Sequence, residues 1–171
     1  MSSYEEQLAY YAKYTNDHLR ERLSFKAPCL QIQVIDAMRY SLLDAGKRLR
    51  AALVMEFARL CHAARLNAAA FACAIEMVHA YSLIHDDLPC MDDDDLRRGK
   101  PSCHKAFGEA NALLAGDGLL TLAFETAADA SLPSEQIVEA VKTLSKASGV
   151  FGMIGGQVID LASEGKQISM D

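Results

Sequence analysis

Between Phe71 and Ile84 the chain is apolar on nearly every side of a helix. A helix without a polar face must be surrounded by protein, so this segment calls for a bundle with other helices packed around it. The rest of the sequence agrees. Ala, Leu, Met, Glu, Lys and Arg dominate, alternating strand-like runs are absent, and breakers cluster at Ala27-Pro28, Pro89, Gly99-Lys100-Pro101, Leu132-Pro133 and Gly149. The segments between them read as about six helices: roughly Tyr4 to Ser24, Gln31 to Ala45, Leu49 to Cys61, Ala68 to Asp87 and Asn111 to Ala130, and a last one opening near Pro133. In that last helix Ile137, Val138, Val141 and Leu144 form the expected inward stripe. No repeat, low-complexity stretch or linker divides the chain, so the expectation is a single all-α domain over residues 1–171.

Composition narrows the function classes. A chain of 171 residues with 51% hydrophobic and 23% charged residues can bury a core. A net charge of −6, with basic residues scattered or paired with acids, argues against nucleic acid or an anionic membrane as partner. Met1-Ser2-Ser3-Tyr4-Glu5-Glu6 lacks the basic start and apolar centre of a signal peptide, and no apolar run is expected to reach a membrane span, which makes the cytoplasm the default location. The five cysteines are odd in number and widely spaced, without a Cys-x-x-Cys, which disfavours a disulfide framework or structural zinc. Cys103-His104 has no partners at finger-like spacing.

Polar residues inside the apolar helix need a reason. His79, Ser82 and Asp86 share one face, with His79 and Asp86 about 10 Å apart along the axis. Immediately after the helix come Asp86, Asp87 and Asp92 to Asp95, followed by Arg97, Arg98 and Lys100. Most charge runs are solvated turns. An acidic run at the mouth of a buried helix, with a basic run beside it, instead suits a divalent metal carrying a polyanion such as diphosphate. On a continuous helix Asp86 and Asp92 would diverge by about 120°. Pro89 disfavours helix at Leu88 and ends or bends it, which frees Asp92 to return toward Asp86 from a loop. Upstream, Gly46-Lys47-Arg48-Leu49-Arg50 would place Lys47 and Arg50 on one side of a helix start, where backbone N–H groups also favour an anion. A surface basic face is the plainer meaning of that segment taken alone.

These residues carry a resemblance. Leu42 to Arg50, His79 to Pro101, Phe107-Gly108 to Gly116-Asp117, and Gly155-Gly156-Gln157 to Asp160 resemble, in order, the trans-isoprenyl diphosphate synthases (polyprenyl synthetases). The resemblance implies an all-α bundle around a deep cavity, in which an allylic diphosphate (dimethylallyl or geranyl) is joined head to tail to isopentenyl diphosphate. By position, Asp86, Asp87 and Asp92 correspond to the first aspartate-rich motif, which holds Mg²⁺ on the allylic diphosphate, with Arg97 touching that diphosphate. Lys47, Arg50, His79 and Arg98 correspond to the isopentenyl diphosphate site. A homodimer is also implied.

Within the family, residues just before the first aspartates floor the cavity and set product length. Here Tyr81 and Ser82 occupy the fifth and fourth positions before Asp86, and five residues of helix span about 7.5 Å. The pattern resembles the bacterial farnesyl diphosphate synthases; geranylgeranyl diphosphate is the alternative product. The chain departs from the family in having no second aspartate-rich motif: Asp160 and Asp171 are isolated. The expectation is therefore the first part of a longer enzyme, inactive by itself, with apolar faces such as Phe71 to Ile84 partly uncovered. A non-catalytic homologue is the competing reading. A terpene cyclase ranks last, because it does not require Lys47 and Arg50.

Overall fold

Ser3 starts the first helix with a capping box: its hydroxyl accepts from Glu6 N–H at 3.2 Å, and the Glu6 carboxylate accepts from Ser3 N–H at 2.8 Å. In the computed structural model, which describes residues 3–25, 29–43 and 46–166, the order is α1 (Tyr4–Arg22), α2 (Ile32–Leu43), α3 (Leu49–Leu60), α4 (Arg65–Asp86), β1 (Leu96–Arg97), β2 (Lys100–Pro101), α5 (Cys103–Phe107), α6 (Glu109–Ala128), α7 (Ser134–Ser148) and α8 (Met153–Ser163). The fold is all-α apart from one small hairpin. The expected break at Ala27-Pro28, the expected end of the second helix at Ala45, and Asp171 lie outside the described residues. Two compact units are present, Met1–Ser131 and Leu132–Asp171.

In the first unit α4 is the central helix and packs on α1, α2, α3 and α6. Its closest partner is α6, whose Ala112, Ala115, Leu119, Ala123 and Ala127 are completely buried. Spacings of three and four residues put these on one face, and alanines there let the two backbones approach closely. The apolar run thus lies in a core as expected, and it is partly uncovered as expected, with Phe71, Ile75 and Leu83 only half-buried along one side. A more exposed apolar stripe runs along α3, at Leu49, Leu53, Phe57 and Leu60. One correction concerns membranes. With its start at Arg65, α4 reaches 22 residues and is apolar enough to cross a bilayer, but two-thirds of its most apolar stretch is buried by protein, as in a core helix.

Two local features escaped the sequence reading. Arg98 and Gly99 both have positive φ (55° and 78°), giving a two-residue turn of the kind that closes hairpins, with Arg97 paired to Lys100. Strands of two residues are too short for any alternation to show. Gly108, at φ 82°, separates the single-turn α5 from α6. The second unit consists of α7 and α8, where Ile137, Val141 and Leu144 are half-buried and Val138 is exposed.

Candidate active site

Helix α4 ends where the aspartates begin. Asp86 is its last residue and half-buried, and Asp87 caps it at 2% exposure. Beyond Pro89 the chain folds back: Met91 N–H donates to Leu88 O at 2.8 Å, and Asp92 N–H donates to Asp86 O at 2.9 Å. The backbone of Asp92 is therefore bonded to that of Asp86, the return that Pro89 makes possible. Asp87 is turned to Arg97, whose Nε donates to Oδ1 at 2.9 Å and whose Nη2 reaches the same oxygen. This hydrogen bond to Asp87 is the main reason the Arg97 guanidinium holds its proton more tightly than usual. Arg97 also meets Asp94 at 3.3 Å.

The outer aspartates are tied to α5. Lys105 Nζ lies 2.7 Å from Asp95 Oδ1, and Ser102 N–H donates to Asp95 O at 2.9 Å. The buried His104 has Nδ1 at 3.1 Å from Ser102 Oγ and Nε2 at 3.8 Å from Asp93 Oδ1. Asp94 and Asp95 thus serve as loop charges. Among the described residues no three acids, histidines or cysteines are gathered tightly enough to make a metal site by themselves. Mg²⁺ commonly binds through one or two carboxylates and completes its octahedron with phosphate and water. The Asp86/Asp92 turn, with hard oxygen donors only, fits a metal that arrives with a diphosphate.

Near His79, earlier on the same helix, a cationic cluster gathers from other elements. The turn before α3 carries exposed Lys47 and, in the first helical turn, exposed Arg50. Gly46 has φ 61°, and a Cβ there would stand 3.3 Å from the Arg98 guanidinium, so glycine gives both the turn and the close approach. Half-buried His79 faces this group: burial first, then the charge of Arg50, then those of Arg98 and Arg48 push its pKa below 6.5, with Glu76 opposing them. The structure thus brings Arg50, His79 and Arg98 into one electrostatic neighbourhood. A cleft beside α4 is lined by Tyr40, Leu83, Asp87, Arg97, Arg98 and Lys100, among others.

Tyr81 is 5% exposed, and its hydroxyl has no hydrogen-bond partner among the described residues. Its ring meets His85 edge-on at 5.7 Å. Burial, then the Asp86 carboxylate, raise its pKa. Ser82 is half-buried and donates to His79 O at 2.9 Å.

Sequence reading missed three elements. Arg48, between Lys47 and Arg50, is buried in an ion pair with Glu76 at 3.1 Å; an acid within an otherwise apolar helix was the available signal. His85 packs so tightly on Gly116 that a Cβ there would fall 2.1 Å from its Nε2. His104 carried no periodic signal.

Comparison with known proteins shows the family. A family model described as "Polyprenyl synthetase" matches residues 32–171. The chain is 46% identical over 171 residues to "Farnesyl diphosphate synthase" of Escherichia coli (strain K12), covering 98% of this chain and 57% of that protein. It is 47% identical over 156 residues to "Geranylgeranyl pyrophosphate synthase, chloroplastic" of Catharanthus roseus, covering 90% of this chain and 43% of that one. A crystal structure of a FPP/GFPP synthase from Zymomonas mobilis superposes with a TM-score of 0.91 at 41% identity, covering 98% of this chain and 60% of that chain. The chain therefore spans about half the length of the curated relatives it matches.

Proposed function

The chain belongs to the polyprenyl synthetase family, and on that footing we propose that it supplies the two diphosphate-binding walls of a prenyltransferase that makes farnesyl diphosphate. The observation that carries the reading is the polar face of α4. At one end the Asp86/Asp92 turn offers carboxylates suited to a metal-borne diphosphate, and about 10 Å away His79 lies with Arg50 and Arg98.

Each set has a distinct task. Asp86 and Asp92, with Asp87 beside them, would hold Mg²⁺ on the allylic diphosphate. When bound, the metal offsets carboxylate–phosphate repulsion and stabilises the leaving diphosphate. Arg97, fixed by Asp87, directs its guanidinium at the same group. Lys47, Arg50, His79 and Arg98 hold isopentenyl diphosphate by charge and hydrogen bonds without a metal, so its C–O bond is not activated. The allylic C–O bond breaks, the alkene electrons of isopentenyl diphosphate form the new C–C bond, and one proton leaves to the released diphosphate. A cytoplasmic homodimer belongs to the same reading.

Product length rests on Tyr81 and Ser82. A buried aromatic one and a half turns before Asp86 stands where a growing chain would stop at fifteen carbons. The similarity to a geranylgeranyl enzyme supports the twenty-carbon product as a second reading. The test is incubation of a full-length enzyme carrying these residues with geranyl and isopentenyl diphosphates and Mg²⁺, with products separated by length. Fifteen carbons are expected, lengthening in Tyr81→Ala. Absence of turnover supports a non-catalytic homologue, and an unchanged product spectrum in Tyr81→Ala removes its role in chain length.

A further inference from the structure

Beneath the exposed basic turn lies a charged assembly that touches none of the proposed ligands. We propose that Arg48 and Glu76 are positioning residues that set the geometry of the isopentenyl diphosphate cradle; this rests on reading Lys47, Arg50, His79 and Arg98 as that cradle.

The Arg48 and Glu76 side chains are 1% and 4% exposed and pair at 3.1 Å. Arg48 Nε donates to Asn16 Oδ1 at 2.8 Å, and its Nη2 reaches Leu42 O and, at 3.5 Å, Leu43 O. Glu76 Oε1 accepts from Ala51 N–H at 3.0 Å. One guanidinium thus joins α1, the end of α2, the start of α3 and the middle of α4. Arg48 itself has φ 52°, a left-handed conformation that side-chain-bearing residues rarely adopt and that survives only where its surroundings enforce it. Lys47 precedes this residue and Arg50 follows two positions on, so the turn that aims them is held in an uncommon shape by the buried fork. On the other side Glu76 is one helical turn from His79.

Buried ion pairs are poor sources of stability, since apolar residues of similar volume often serve as well or better. A pair kept at this place is accounted for by geometry: displacement of a charged group by about 1 Å can cost on the order of a hundredfold in rate.

The experiment measures binding of isopentenyl diphosphate without metal and of geranyl diphosphate with Mg²⁺, alongside thermal melting. The variants are Glu76→Gln, Arg48→Met/Glu76→Met, and the milder Asn16→Ala, which removes one acceptor and leaves the pair. Glu76→Gln is expected to weaken isopentenyl diphosphate by on the order of tenfold and geranyl diphosphate by less than about twofold. The apolar double variant is expected to melt near wild type while its isopentenyl diphosphate affinity stays low, and Asn16→Ala to show a smaller selective loss. Equal weakening of both ligands, affinity that returns with stability in the double variant, or no selective loss in Asn16→Ala when the others do not fold, would overturn the proposal. Arg50→Ala separates it from the underlying reading: if that variant binds isopentenyl diphosphate normally, the cradle itself is wrong.

Discussion

At the C-terminal end of α4 the buried Asp87 is paired with Arg97, and about three turns earlier the buried Glu76 is paired with Arg48. The two pairs differ in who reaches solvent. Arg48 and Glu76 are both enclosed, at 1% and 4% side-chain exposure, whereas Arg97 is 34% exposed over a carboxylate at 3%. An enclosed guanidinium with each of its nitrogens engaged acts as a strut. One that reaches the cleft can bond its carboxylate and still meet a second anion. On the proposed reading the basic side separates support (Arg48) from contact (Lys47, Arg50), and the acidic side combines both in Arg97.

That difference can be broken by mutation. Arg48→Met leaves Glu76 charged and enclosed, and should cost about 4 kcal/mol, read from the denaturation midpoint. A loss below about 1 kcal/mol would mean the site tolerates an unpaired acid and is not a strut. Asp92→Ala removes a proposed metal-binding carboxylate on an exposed turn. It should cut turnover by on the order of 10²–10³-fold with melting almost unchanged, and normal turnover would move the metal site elsewhere. Arg97→Met should be milder in stability than Arg48→Met, about 2 kcal/mol, since solvent reaches the pair. It should also weaken the Mg²⁺-borne diphosphate. Equal destabilisation by the two arginine variants would erase the distinction drawn between them.

The smallest effect is in pH. Burial, then Arg50, hold the His79 pKa below 6.5. The unfolded chain then binds more protons, so the stability contributed by His79 is present above about pH 6.5 and lost as pH falls toward the folded pKa. A bound diphosphate adds negative charge and favours the imidazolium, so its affinity should rise a few-fold as pH falls through the same window. The diphosphate also titrates, so the ratio of wild type to His79→Gln isolates the histidine. A ratio flat in pH would place His79 outside the cradle.

Much of this site could be read in the sequence because its signals are local. Pro89 between two aspartate groups dictates a break, and the backbone of Asp92 returns to Asp86 as that break allows. The apolar stretch Phe71 to Ile84 forces a central helix, and α4 is one. What stayed hidden is what only tertiary packing selects. Arg48 is indistinguishable from its basic neighbours until α1, α2 and α4 close around it, and the hairpin at Arg98-Gly99 depends on a two-residue turn rather than on periodicity. The apolar stripe of α3 is more exposed than the half-buried side of α4, and the sequence does not show this for the same reason: helix period reveals that a face is apolar, not which neighbour will cover it.

The two proposed diphosphate sites differ in their need for metal. Calorimetric titration with isopentenyl diphosphate and with geranyl diphosphate, each with Mg²⁺ and with a chelator, tests this directly. Chelation should abolish geranyl diphosphate binding and leave isopentenyl diphosphate binding intact, and Arg50→Ala should do the reverse. Metal dependence of both ligands, or of neither, would contradict the division of labour proposed for the two ends of α4.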